Sequence, residues 1–284
     1  SYMVREFSKH LQDLHAHQGR GVRALQQVNK NTWVIECQTG RPLTLRYRVY
    51  AFDPSVRAAY LDQQRCFFNG TSVCMQAHGH EDQMHELQVT TPKGVKSWRV
   101  ATGLHPHRVS RSGWGTYRAA NYDELIDAPM EWGDFWSGQF VAGGVEHQLV
   151  VSGAPASLDG DRLLADCQRI CSAAIRMWHG RGKPPHSRYV FLLNAVGDGY
   201  GGLEHRNSTA LICSRRDLPR HGEHSRGEGY VTLLGLISHE YFHTWNVKRL
   251  RPREFARYDL QGENYTELLW FFEGFTSYFD DLLL

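Results

Sequence analysis

No apolar run in the 284-residue sequence reaches the roughly 18–20 residues that a membrane-spanning helix requires, and no signal peptide opens the chain. Charge of one sign is also lacking. The 32 Lys and Arg stand against 30 Asp and Glu, a formal net charge of +2, and the two signs are interspersed. Neither a nucleic acid nor an anionic membrane is therefore the expected partner, and Arg249-Leu250-Arg251-Pro252-Arg253 reads as a solvated loop. The six cysteines (Cys37, Cys66, Cys74, Cys167, Cys171 and Cys213) are too few for a disulfide framework and show no Cys-x-x-Cys spacing. That scarcity favours a reducing, cytoplasmic setting, with a periplasmic or secreted one left open. An initiator Met is missing too, so the chain is read as an internal fragment of a longer protein.

What the sequence does contain centres on Ile237-Ser238-His239-Glu240-Tyr241-Phe242-His243-Thr244-Trp245. Positions i and i+4 lie on one helical face, so His239 and His243 can offer nitrogens to one metal ion. Glu240 points about 100° away, where it can act as general base on an attacking water. With 16 His in the chain, such a motif can arise by chance, and context has to decide. The stretch from Tyr230 to Lys248 lacks Pro and repeats large apolar residues at helical spacing, which predicts a buried helix. Gly235, one turn before His239, is read as room for a substrate or metal.

Two His ligands call for a third, with the fourth position left to water. Glu273 is the candidate. It interrupts the aromatic segment Trp270-Phe271-Phe272-Glu273-Gly274-Phe275, where an unpaired carboxylate would be costly to bury and a metal would remove the cost. Its helix is predicted to begin at Asn264 as N-cap, with Glu267 completing a capping box. Two other polar clusters compete less well. Cys74, His78, His80, Glu81, Asp82, His85 and Glu86 match no helix face or zinc spacing and read as a solvated loop, as do His221, Glu223 and His224.

The motif and its continuation, His-Glu-Tyr-Phe-His-Thr-Trp-Asn-Val-Lys-Arg-Leu-Arg-Pro (239–252) and Glu-Asn-Tyr-Thr-Glu-Leu-Leu-Trp-Phe-Phe-Glu-Gly-Phe-Thr-Ser-Tyr (263–278), resemble the bacterial glycyl aminopeptidases, a family of gluzincin metallopeptidases. The likeness starts at Ser1-Tyr2-Met3-Val4 and is strongest from about 199 to 278. It implies one Zn2+ ion, an N-terminal β-rich domain, a thermolysin-like catalytic domain, and a PDZ domain in a missing C-terminal part. Gly199-Tyr200-Gly201-Gly202-Leu203-Glu204-His205 further resembles the Gly-x-Met-Glu-Asn substrate strand of aminopeptidase N relatives, with Leu203 for Met and His205 for Asn. By that likeness Glu204 binds the free α-amine of a peptide laid beside Gly201 and Gly202. Small N-terminal residues such as Gly or Ala are implied in the same way.

The fold class expected is α+β, with a β-sandwich-like domain over residues 1–112 and the peptidase domain over 113–284. Leu43, Leu45, Tyr47, Val49 and Ala51 alternate with polar residues as a half-buried strand does, and β-like runs follow at 31–37, 86–91 and 97–101. Residues 57–64 read as a short helix or a loop, and 105–123 as an irregular boundary. Further strands are predicted at 139–141, 146–152, 188–194 and 208–214. Leu163, Leu164, Cys167, Ile170, Cys171, Ala174, Ile175 and Trp178 mark an amphipathic helix capped by Asp159 or Asp161 and ended near Gly180. The function expected is zinc-dependent hydrolysis of N-terminal peptide bonds. A gluzincin endopeptidase and a non-catalytic, zinc-stabilised peptide-binding module are the alternatives.

Overall fold

The computed structural model describes residues 5–256 and 258–284, so Ser1–Val4, where the family likeness begins, lies outside the described residues. The first part is β-rich and built from small sheets rather than one sandwich. Strands β1 (Leu11–Gln18), β2 (Gly21–Arg23) and β5 (Thr44–Val49) form one sheet, and β3 (Leu25–Asn29) and β4 (Thr32–Ile35) a hairpin. Strands β6 (Ala59–Leu61), β7 (Arg65–Phe68), β9 (Arg99–Thr102) and β12 (Met130–Gly133) make a four-stranded sheet. Strands β8 (His85–Val89), β10 (His105–Val109) and β11 (Gly115–Ala119) make a third, with the short helices α1 (Gly70–Val73) and α2 (Tyr122–Ile126) beside it.

Two expectations are corrected here. Residues 57–64, expected as a short helix or a loop, contain the three-residue strand β6. The supposedly irregular 105–123 stretch is the antiparallel pair β10–β11, continued by α2. Gly115 makes that pairing possible, because its φ of 141° and its approach to the Arg108 carbonyl exclude a Cβ. The period-2 pattern of β5 holds, but Leu45, Tyr47 and Val49 are only half-buried and line an open cleft.

The second part is a five-stranded mixed sheet in the order β13 (Trp136–Ala142), β14 (Val145–Ser152), β15 (Arg188–Val196), β17 (Ser208–Ser214), β16 (Gly201–Glu204). The three central strands are parallel and both outer strands antiparallel. Alternation sorts its side chains. Leu149, Val151, Phe191, Leu193 and Leu211 face helices α3 (Gly160–His179) and α4 (Glu228–Phe242), while Val150, Val190, Leu192, Leu203 and Ala210 meet Val56, Phe67 and Ala101 of the first part. A sheet covered on both faces explains why β15 is an almost unbroken apolar run. Helix α3 is capped as predicted, Asp159 accepting from the Arg162 amide and Gly180 ending it at φ 59°.

Helix α4 ends at Phe242, with His243 as its C-cap still in αR geometry, so the predicted helix stops short of Trp245 and Lys248. Helix α5 (Leu269–Leu282) packs against α4. Its N-cap is Leu268, four residues after the predicted cap, without a side-chain cap bond. Asn264 instead folds the preceding loop, accepting from the Asp259 amide and donating to the Asp259 and Gly262 carbonyls. A Cβ at Gly235 would meet only Leu284, at 3.7 Å, an ordinary contact with the chain just past α5.

Behind α4 the buried Tyr241 hydroxyl sits 2.8 Å from His147 Nε2 and 3.4 Å from His186 Nε2, and His147 Nδ1 donates to the Val145 carbonyl. Burial pushes His147 down to about 4 and His186 down to about 3. Both are therefore neutral when folded and protonatable when unfolded, so stability should be full above pH 6.5 and fall as pH drops from there toward about 4. Urea unfolding of the metal-free protein across this range is expected to show that slope. His147→Gln should flatten it, and an unchanged slope would remove the pair from the account.

Candidate metal centre

The spacing of the histidines on α4 and the packing of α5 against it fix the geometry of the site. His239 Nε2 and His243 Nε2 lie 3.1 Å apart, and Glu273 Oε2 is 3.5 and 3.6 Å from them. Among the described residues, this is the one group of His, Cys, Asp and Glu placed to hold a metal ion. Ligand bonds of about 2.0–2.2 Å in a tetrahedron set donor atoms about 3.3 Å apart, so the triangle fits a zinc-sized ion with one corner free. The donor set, two imidazoles and a carboxylate, also suits zinc.

Both rings are oriented from behind. His239 Nδ1 donates to Asp280 Oδ2 at 2.6 Å, and His243 Nδ1 donates to the Asn246 carbonyl at 2.8 Å. Each Nε2 is thereby left as the lone-pair nitrogen that a metal needs. Asn246 is held in turn by its amide, which donates to the Phe272 carbonyl and the Thr276 hydroxyl. Burial alone would lower the pKa of His239, yet the Asp280 and Glu273 carboxylates push it up to about 10. His243 is raised too, against burial, by Glu273 first and Glu204 next. The site thus favours a positive charge between the two rings.

Asp280, Asn246 and Thr276 were not singled out in the sequence. Their signal was present: Thr276 and Asp280 follow Glu273 by three and seven residues, which keeps all three on one face of α5.

Glu240 is buried and its Oε2 has no hydrogen-bond partner. Burial, with the Glu204 charge second, pushes its carboxyl up to about 7. A Cβ at Gly202 would collide with that carboxylate, approaching its Cγ to 2.6 Å. Gly202 therefore makes room for Glu240, a closer constraint than the substrate approach expected of it, whereas Gly201 has open space around it. Leu203 turns to the opposite face of β16 and packs on the first part of the chain. Gly202 and Glu204, two residues apart, thus share the face turned to α4.

Glu204 also borders a cleft of about 920 Å3 shared with Trp33, Tyr47, Arg206, Lys248 and Phe255. The lining of this cleft does not include the His–His–Glu triangle. The competing polar clusters come to nothing comparable: His78 and His80 are exposed, with His78 3.7 Å from Glu81, and His221, Glu223 and His224 lie on an exposed loop.

Residues 1–134 match the Peptidase M61 N-terminal domain, and residues 232–284 match the M61 glycyl aminopeptidase domain. The chain belongs to the M61 peptidase family. The M61 chain is also similar over its whole length to the crystal structure of an aminopeptidase N family protein from Idiomarina loihiensis, with 46% identity and a TM-score of 0.96. It spans 48% of that protein's length. None of the curated proteins matches it. No helix among the described residues is long and apolar enough to cross a membrane.

The support behind His239 should be measurable. Asp280→Ala is expected to weaken binding of Zn2+ about 10–100-fold, followed by competition with a chromophoric chelator. Undiminished affinity would separate Asp280 from the site.

Proposed function

We propose that this M61 chain carries the active site of a zinc-dependent aminopeptidase, which hydrolyses the N-terminal bond of peptides bearing a free α-amine. The observation that carries the reading is the shared orientation of Gly202 and Glu204 on edge strand β16. One makes room for Glu240 beside the His–His–Glu triangle, and the other places a second carboxylate about 6–7 Å farther along the same face. Among the described residues the outer side of β16 has no strand partner in its sheet, so a peptide can add there by backbone hydrogen bonds.

Zinc held by His239, His243 and Glu273 would polarise the scissile carbonyl and acidify the attacking water. Glu240 takes the proton of that water and passes it to the leaving amine, a task suited to a buried carboxylate whose Oε2 has no other hydrogen-bond partner. Glu204 binds the substrate ammonium, and Gly201 leaves its backbone space. In this reading the part from β13 onward, within the expected 113–284, carries a thermolysin-like catalytic domain. Its mixed sheet ends in an antiparallel edge strand beside two packed helices that bear the His pair and the Glu. Gly as N-terminal residue is suggested by the family's glycyl description, and Ala by its similar size. The wide cleft beyond Glu204 favours a second reading, an endopeptidase that admits longer chains.

Hydrolysis of Gly- and Ala-amides, with and without an N-acetyl block, separates the two on full-length, zinc-loaded protein. Turnover of unblocked substrates only, lost in Glu204→Gln, is expected; equal turnover of blocked peptides would favour the endopeptidase. Glu240→Gln should lower kcat about 10²–10⁴-fold while zinc stays bound. Full activity in that variant would rule Glu240 out as the base.

A further inference from the structure

Asp127 closes helix α2 and is nine-tenths buried, yet it belongs to no part of the chemistry above. Both of its oxygens are occupied by donors from distant segments. Oδ1 lies 3.1 Å from His205 Nδ1 and 2.7 Å from Lys248 Nζ; Oδ2 accepts from the Arg206 amide at 3.2 Å, with Arg206 Nε also at 3.2 Å. Burial opposes its charge, but Lys248, His205 and Arg206 hold its carboxyl well below the usual carboxylate range.

These donors come from two places that matter. His205 and Arg206 follow Glu204 directly, in the turn from β16 to β17. Lys248 lies in the loop after α4, where its amide donates to the carbonyl of His243 at 3.1 Å. The two segments also meet without Asp127, as Arg249 donates to the Arg206 carbonyl. The loop needs holding: Val247 has φ 129°, a conformation that a β-branched residue adopts only under restraint. The β16–β17 turn is gripped a second time by the first part of the chain. Asn207 donates to the Gly103 carbonyl at 2.9 Å, and a side chain at Gly103 would strike Asn207.

We propose that Asp127 is a positioning residue for the amine subsite: it clamps the end of the Glu204 strand to the loop behind His243, and so sets the separation between the amine anchor and the metal. The β-rich part of the chain would then govern where a peptide's N-terminus rests, and with it the removal of a single residue. The inference rests on the reading of Glu204 as amine anchor.

The test uses full-length, zinc-loaded protein and glycine and alanine anilides. Asp127→Asn keeps the shape and removes the charge. Loss of a charge-assisted hold on the anchor is expected to raise KM about 10–100-fold, with kcat changed less than about threefold. Zinc content should stay at the parent value, while the unfolding midpoint falls because Lys248 and Arg206 lose a buried counter-charge. An unchanged KM, or a parallel fall in kcat and zinc content, would overturn the proposal, the latter because it marks a merely structural role. If Asp127→Asn yields no folded protein, Lys248→Gln, which removes one arm, is judged by the same KM rise. Glu204→Gln runs alongside. A raised KM there with none in Asp127→Asn sinks this inference alone, whereas an unchanged KM in Glu204→Gln sinks the amine-anchor reading and the inference with it.

Discussion

Two imidazole nitrogens 3.1 Å apart, each with its partner nitrogen already committed as a donor, repel one another unless a positive charge lies between them. The surrounding structure is arranged around that requirement. Helix α4 is wedged between the five-stranded sheet and α5, so the histidines cannot swing to water. Helix α5 brings Glu273 to complete the triangle and Asp280 to fix the outer ring. The turn after α4 curls back so that the Asn246 carbonyl orients the inner one. A proton can meet the requirement, and the Asp280 and Glu273 carboxylates favour it on His239; a divalent cation meets it with three ligands at once.

The second carboxylate layer follows from the same crowding. Glu240 is buried beside this positive site yet bonded to nothing on one oxygen, and it fits only because β16 carries glycine at position 202. A glycine in the middle of a strand weakens it, and here the lost packing is exchanged for room for the Glu240 carboxylate. The sheet that presents this edge is covered on both faces, by helices on one and by the β-rich part on the other. The position of β16 is therefore fixed by both halves of the chain, and Asp127 is where that dependence becomes a set of named bonds.

How much of this was legible depended on sequence distance. His239 and His243 could be paired because i and i+4 on a helix is local geometry, and Glu273 stood out because a carboxylate is costly on an aromatic helix. Helix α3 was legible from its stripe and both caps. The bond from His239 to Asp280 spans 41 residues and that from His205 to Asp127 spans 78, and no local pattern marks either. Local signals also misled where tertiary demands won. Asn264 and Glu267 spell a capping box, but the asparagine is used to close a loop, and the Gly- and Ser-rich 105–123 stretch uses its glycines to pair two strands. Gly202 was noticed for the right strand and for a different neighbour.

X-ray absorption at the zinc edge on stoichiometrically loaded full-length protein tests the central claim most directly. The account predicts one zinc per chain with two imidazole nitrogens and oxygen donors at about 2.0–2.2 Å, one of those oxygens lost in Glu273→Ala and one exchangeable with solvent. A shell closed by four protein ligands, or imidazole scattering that survives His239→Ala and His243→Ala, would contradict it.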